Sequence, residues 1–217
     1  MLRTLFSKSL PTVGIDIRPD SVRLVELIYK KETASITHAA NIPLEPPPHS
    51  QETLTQAIHS AKQSSKTQAL FASLCLPDPM VTIADIQVQA THCETLLKER
   101  IFEAIKNSLT IPINNSHYDF YVLGVCEQAP DALDVKTFIV QTALAKNFMA
   151  PVIAAGFIPR YLDLDCCAMA RVNATFSTGS DFLNVVHFSN ATLKKMILSD
   201  WPNWILSVGL ALRWIEA

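Results

Sequence analysis

Three carboxylates fall where the residue pattern gives them company. Asp16 stands between Ile15 and Ile17 at the end of an alternating run, and Asp163 and Asp165 alternate with Leu162 and Leu164. A paired-carboxylate acid–base site needs both acids on one face, which a spacing of two in a strand permits. No cleft is implied around that pair, so structural roles are expected. Asp16 reads equally well as a turn-capping carboxylate or a metal-facing one. Arg18 reads as a solvated turn residue and His187 as a strand histidine holding a hydrogen bond. The five cysteines, Cys75, Cys93, Cys126, Cys166 and Cys167, include no C-x-x-C pair and are expected to be reduced, mostly buried thiols. No histidine is placed by sequence to activate one of them.

Glycine narrows the chemistry further. Average usage would give roughly 15 glycines in this length, and the chain has 5, at Gly14, Gly124, Gly156, Gly179 and Gly209. A loop that wraps phosphate with backbone N–H groups needs several such residues close together. Neither G-x-G-x-x-G nor G-x-x-x-x-G-K-[ST] occurs, and H-E-x-x-H, G-x-S-x-G and paired Cys/His spacings are missing too. No catalytic and no metal-ligating residue is assigned.

The elements that must position these residues belong to an ordinary globular chain of 217 residues, with 49% hydrophobic residues and a net charge of −2 from 18 basic and 20 acidic side chains. Disorder would need fewer apolar residues, and nothing in the balance offers a basic face to nucleic acid. Uncharged runs such as Asn147 to Pro159 fall short of the roughly 20 residues of a spanning helix, so no transmembrane helix is expected. The N-terminal Leu2, Leu5 and Phe6 with Arg3 and Lys8 read as a solvated tail; without an apolar h-region before Pro11 they are not a secretory signal. A cytoplasmic chain is the expectation.

Alternation predicts strands over Thr12–Ile17 and Ser21–Tyr29 around an Arg18-Pro19-Asp20 turn, and a third over Ala34–Ile42. Pro46, Pro47 and Pro48 form a stiff segment. Ser50 caps a helix to about Ser64 with Leu54, Ile58 and Ala61 inward, and Ala69–Leu76 is a buried strand. Pro77-Asp78-Pro79 marks a boundary. Beyond it the pattern predicts a strand over Val81–Val88 and a helix over Glu94–Leu109 ended by Pro112. A hairpin of Tyr118–Val125 and Val135–Ala143 follows across a Glu127–Asp134 loop, then a helix near Lys146–Ala155 that stops at Gly156. Next come a strand over Arg160–Asp165, a helix over Cys166–Ala174 with Met169 and Val172 inward, and a turn at Ser177–Ser180. Two antiparallel strands, Phe182–Phe188 and Thr192–Leu198, precede an apolar segment, Trp201–Ile215, helical from about Trp204. Trp201, Trp204 and Trp214 are expected to pack that segment.

The run Thr12-Val-Gly-Ile-Asp-Ile17 followed by Ser21-Val-Arg-Leu-Val-Glu-Leu27 resembles the opening phosphate hairpin of the PilM family, the actin-like and FtsA-like proteins of type IV pilus assembly. Ala72-Ser-Leu-Cys-Leu-Pro-Asp78, Ile111-Pro-Ile113, Tyr118-Asp-Phe-Tyr-Val-Leu123, Ala155-Gly-Phe157, Leu162-Asp-Leu-Asp165 and Ser207-Val-Gly-Leu-Ala-Leu-Arg213 fall in that family's order. The resemblance covers almost the whole chain. It implies an α/β (α+β) actin-like/FtsA-like fold. Residues 12–78 with 158–174 would form the first actin-like subdomain, 79–157 an FtsA-type β-α-β-β-α insert, and 181–217 a reduced second half without the fourth subdomain.

The same resemblance implies a degenerate nucleotide site. Asp16, Ser21, Asn190 and Thr192 remain as remnants, whereas Arg18 replaces a glycine, Pro19 removes an N–H donor, Asp20 brings a carboxylate, and His187 and Ser189 replace an Asp and a Gly. A Mg-phosphate site with such losses should lose most of its binding free energy; no ATPase activity and no cofactor are expected. The implied function is a non-enzymatic cytoplasmic scaffold that holds the N-terminal cytoplasmic segment of a PilN-like inner-membrane protein, in a groove between the first subdomain and the insert. Asp78, Asp85 and Asp163 are candidate contacts for a basic residue of that segment. The chain would lie in the bacterial cytoplasm, peripheral to the inner membrane through its partners. The alternatives are an actin-like protein that binds Mg-ATP and assembles under nucleotide control, a cytoplasmic actin-like component of a type II secretion or competence apparatus, or a plain interaction domain outside pilus biology.

Overall fold

The computed structural model describes residues 12–30, 33–108, 113–176 and 186–213. The described residues of Met1–Leu76 and Phe148–Ala217 form one compact unit, and those of Pro77–Asn147 form a second.

In the first unit, β1 (Thr12–Ile17) and β2 (Ser21–Lys30) make an antiparallel hairpin, closed over Pro19-Asp20 by the paired backbones of Arg18 and Ser21. Pro19 presets the turn, and the backbone of Leu44 and the ring of His49 fasten it by bonding Asp20 O and Pro19 O, each at 2.8 Å. β3 (Thr33–Pro43) extends the meander, while β4 (Phe71–Leu76) and β8 (Ile158–Leu164) add in parallel on the other side of β1. A short β9 (Val186–Phe188) lies parallel to the start of β3, so the strand order is β8-β4-β1-β2-β3-β9.

Period-two alternation sends apolar residues to both faces of this sheet. Val13, Ile15, Val22 and Leu24 pack on α1 (Gln51–Ser65) through Ala57, Ile58 and Ala61, and on Val152 and Phe157. On the opposite face, Val25, Leu27 and Ile36 meet α4 (Asp165–Phe176), α5 (Ala191–Leu198) and α6 (Trp201–Ala211) through Val172, Phe176, Ile197, Trp204 and Val208. Ser50 caps α1 as expected, accepting from Thr53 N at 3.0 Å.

In the second unit, a 3-10 turn (Asp78–Met80) precedes β5 (Val81–Gln89) and α2 (Glu94–Ser108); β6 (Ser116–Cys126) and β7 (Ala129–Gln141) then complete an antiparallel sheet of order β5-β7-β6. Ile101 and Ile105 seat α2 on Ile86, Val88, Val135 and Ile139.

Several local expectations are corrected. Thr192–Leu198 is helical within α5. Asn190 accepts from Leu193 N at 2.9 Å, and the i, i+4 pair Leu193 and Ile197 meets the core, so cap and period outweigh an alternation that reads both ways. The hairpin of the second unit turns over Glu127-Gln128 alone, since Pro130, Asp131 and Asp134 belong to a long β7. Helix α3 (Thr142–Ala154) starts four residues before Lys146, α6 starts at Trp201, and Asp165 opens α4 instead of closing β8. Gly156, at φ +81°, accounts for the expected helix stop before it. Met169 is exposed; Ala168, Arg171 and Val172 fill the inward face of α4. Of the five free cysteines only Cys75 and Cys126 are buried. The expectations for Met1–Lys8, Leu109–Pro112, Ser177–Ser180, Phe182–Val185 and Trp214 lie outside the described residues.

Candidate functional site

Strands β1, β4 and β8 run parallel, so their carboxyl ends share one edge of the sheet, the place where open α/β sheets present ligand-facing groups. Asp16 comes from the end of β1, Cys75 from the end of β4, and Asp165 from the first turn of α4, immediately after β8. Arg18 joins them. It lies two residues beyond Asp16, so in an extended chain both side chains leave on one face.

The resulting contacts form a closed set. Arg18 Nε donates to Asp16 Oδ1 at 2.8 Å, and Nη2 is shared between both oxygens of Asp165 at 2.8 and 2.9 Å. Cys75 Sγ lies 2.6 Å from Asp165 Oδ1. Asp16 is 1% exposed and Arg18 28%. Arg23, itself buried, stands opposite Asp16 in the β1–β2 register. Burial raises the Asp16 carboxyl above its ordinary range, with Arg18 and Arg23 opposing. Burial works against the charge of Arg18, yet Asp16 and Asp165 hold it above its ordinary value. The Cys75 thiol is pushed far up by burial first, then by its hydrogen bond to Asp165 and that carboxylate's charge. Chemically this is a resident cation seated between two carboxylates, with a thiol kept protonated beside them.

The expected remnants are dispersed. Ser21, buried at the start of β2, donates to Asp20 Oδ1 at 2.8 Å. Asn190 is occupied as the cap of α5, and Thr192 is exposed on that helix. Both follow β9, three places from β1 in the strand order, which is roughly 14 Å across the sheet. They do not converge with Asp16 and Ser21.

Of the candidate partner contacts, Asp163 is buried on β8 and ion-paired to the equally buried Arg171 at 2.9 Å, with Arg171 Nη1 also donating to Gly209 O at 2.8 Å. In the second unit, Asp78 is exposed in its 3-10 turn, and Asp85 is exposed on β5 with an ion pair to Lys136 at 2.7 Å. Asp163 and Asp165 take different partners, so they are not a carboxylate pair. Sequence reading missed the role of Arg18, which is half-buried instead of solvated. The signal was the Asp-x-Arg spacing at a strand end.

Meander, parallel strands and helices on both faces define an actin-like α/β fold. Within that class the fold is PilM-like. A chain of the solved PilM-PilN type IV pilus biogenesis complex matches with a TM-score of 0.63 and 18% identity, over 75% of this chain and 51% of that one. This chain therefore spans about half the length of that relative. A Bacteroides thetaiotaomicron protein with an actin-like ATPase fold and unknown function matches at a TM-score of 0.38 and 8% identity, over 81% and 61%. No protein-family model matches the sequence, and no curated protein does.

Proposed function

We propose that this chain is a non-enzymatic scaffold of a type IV pilus inner-membrane assembly complex, and that it binds the N-terminal cytoplasmic segment of a PilN-like membrane protein. The fold likeness to a chain of the PilM-PilN complex supports the pilus context. The observation that carries the non-enzymatic half is the seating of Arg18 between Asp16 and Asp165. A Mg-phosphate group needs carboxylates directed at its metal and donors directed at its oxygens. Here one guanidinium already satisfies both carboxylates, and Pro19 offers no N–H. The role is then recognition, with apolar side chains of an extended segment entering pockets and its basic residue meeting surface carboxylates, of which Asp78 and Asp85 are the exposed candidates. The protein would work at the cytoplasmic side of the inner membrane through that partner. Among the described residues no helix is long and apolar enough to cross a membrane.

Titration of the full chain with a labelled peptide carrying a PilN-like N-terminal segment should give saturable binding in the micromolar range. Absence of binding at several hundred micromolar, on the order of −5 kcal/mol, removes the partner assignment. In parallel, millimolar Mg-ATP should leave the melting temperature unmoved; a rise of several degrees would restore the nucleotide-binding reading.

A further inference from the structure

Two thiols in contact stand outside both the core and the Arg18 site. Cys75 and Cys126 are buried, as structural cysteines usually are, whereas Cys166 is exposed and Cys167 half-buried in the first turn of α4. Successive side chains on a helix leave about 100° apart, yet these two sulfurs lie 4.0 Å from one another. Among the described residues no three Cys, His, Asp or Glu side chains are grouped to hold a metal ion. The pair therefore lacks the further ligands of a structural zinc site. Two adjacent thiols, one of them exposed, can instead exchange with a disulfide.

Position makes that exchange consequential. Leu164 ends β8 and is fixed by its register with Leu76 on β4. Ala168 is fully buried beside Cys75 and Leu210, and its carbonyl faces Gly209 so closely that a Cβ there would lie 2.2 Å away. Between these anchors stand Asp165, Cys166 and Cys167. A sulfur–sulfur bond is about 2.05 Å long, so bonding draws the two sulfurs together by about 2 Å and the helical backbone of the pair has to change. The anchors leave Asp165 to absorb part of that change. Its carboxylate receives Arg18 Nη2 at 2.8 and 2.9 Å and the Cys75 thiol at 2.6 Å. The turn concerned is also the one held most weakly by its own helix, since the N–H groups of a first turn have no partner within it.

We propose that Cys166 and Cys167 form a reversible oxidation site for low-molecular-weight disulfides, and that closing it draws Asp165 off Arg18. The exposed Cys166, as thiolate, attacks one sulfur of the small disulfide, releasing one thiol and leaving a mixed disulfide. Cys167, deprotonated in turn, attacks the Cys166 sulfur, which joins the two cysteines and releases the second thiol. The protein gives up two protons and two electrons, and the small disulfide is reduced to two thiols. Adjacent Cα atoms are about 3.8 Å apart, closer than disulfides prefer. The bond is thus strained and readily reduced again, as a switch requires and a structural bridge does not. Nothing in this depends on the pilus reading.

The test treats the reduced full chain with oxidised glutathione, then alkylates and digests it with trypsin. The tryptic peptide 161–171 carries Cys166 and Cys167 and no other cysteine. It should arrive unalkylated and lighter by two hydrogens, and become alkylatable after reduction. Oxidation should lower the melting temperature of the parent by several degrees and speed amide exchange over 165–168, and reduced glutathione should reverse both. Cys166→Ser, at an exposed position, should show neither effect. Arg18→Ala has already lost the contact with Asp165, so oxidation should shift its melting temperature clearly less than the parent's. A peptide 161–171 that carries only glutathione adducts, or is bridged to a cysteine elsewhere, overturns the oxidation site. An internal bond that shifts parent and Arg18→Ala equally, or shifts neither, overturns the coupling to Arg18.

Discussion

Nη2 of Arg18 sits between the two carboxylate oxygens of Asp165, 147 residues further along the chain, while its Nε holds Asp16 on its own strand. One side chain thus ties the β1–β2 turn to the opening of α4 across the carboxyl edge of three parallel strands. Because Asp16 is almost fully buried, the tie is more than a surface ion pair: its removal leaves a carboxylate without its nearest counter-charge.

Arg18→Ala is therefore expected to lower stability by about 1–3 kcal/mol, a fall of several degrees in melting temperature. Arg23 across the register offsets part of the loss. The substitution also frees two carboxylates facing one space, so millimolar Mg²⁺ should recover some of the melting temperature in the variant and none in the parent. An Arg18→Ala protein as stable as the parent would show that the clamp contributes nothing to folding.

The pH dependence of Asp16 follows from the direction of its shift. Its folded carboxyl lies above the ordinary 3.8, because burial outweighs Arg18. A raised value means that the folded state holds the proton more tightly, so this group's contribution is fully present below 3.8 and is lost as pH rises through the folded value. Relative to Asp16→Asn, which does not titrate, the parent should gain stability as pH falls toward 3.8. Urea denaturation of both proteins at steps between pH 7 and pH 3.5 measures the difference. A parent that instead loses ground to Asp16→Asn on acidification contradicts the assigned direction.

Thiol reactivity separates the buried cysteines from the exposed ones. Cys75 is buried and kept protonated beside Asp165, and Cys126 is buried, whereas Cys93 and Cys166 are exposed. Since the thiolate is the reactive form, a thiol reagent at pH 8 should modify Cys93 and Cys166 in the native protein, and Cys75 and Cys126 only after unfolding. Mass mapping of the labelled peptides reads the order directly. Native labelling of Cys75 at the rate of Cys93 would mean that the β4 edge opens.

What could be read from the sequence divides along physical lines. The meander Thr12–Pro43, helix α1 with its Ser50 cap and the buried strand β4 are written in local periodicity and turn chemistry, and the structure has them. Thr192–Leu198 fits a period of two as well as one of 3.6, and the i, i+4 pair Leu193 and Ile197 decides only once there is a core to meet. The site was half legible. Asp16 stood out between isoleucines, yet nothing local announces that Arg18 reaches Asp165, because that pairing exists only after β8 is laid parallel to β4 and β4 to β1. Asn190 and Thr192 were grouped with Asp16 by resemblance, and the strand order separates them.

Gly14 sets the distance between the sheet and the last helix. A Cβ there would lie 2.0 Å from Ser207 O and 2.6 Å from Ala211 N, both backbone atoms of α6, so no side-chain rotation relieves the clash. Gly209, on the same helix, would meet Ala168 O of α4 at 2.2 Å. The two glycines let α6 lie directly on β1 and α4, which brings Trp204 and Val208 into the core and places Gly209 O within reach of Arg171. Gly14→Ala must push α6 away or bend β1, and because Asp16 is two residues on, a bent β1 also displaces the carboxylate that Arg18 holds. The expected cost is about 3 kcal/mol or more, at the upper end for added volume in a packed core. An increase in Trp204 solvent exposure, read as a red shift in emission, should accompany it. Gly124→Ala is the control, since a Cβ at Gly124 meets nothing within 4 Å and acts only through its positive φ. If Gly14→Ala costs no more than Gly124→Ala, the close seating of α6 on β1 is not what holds this half of the fold.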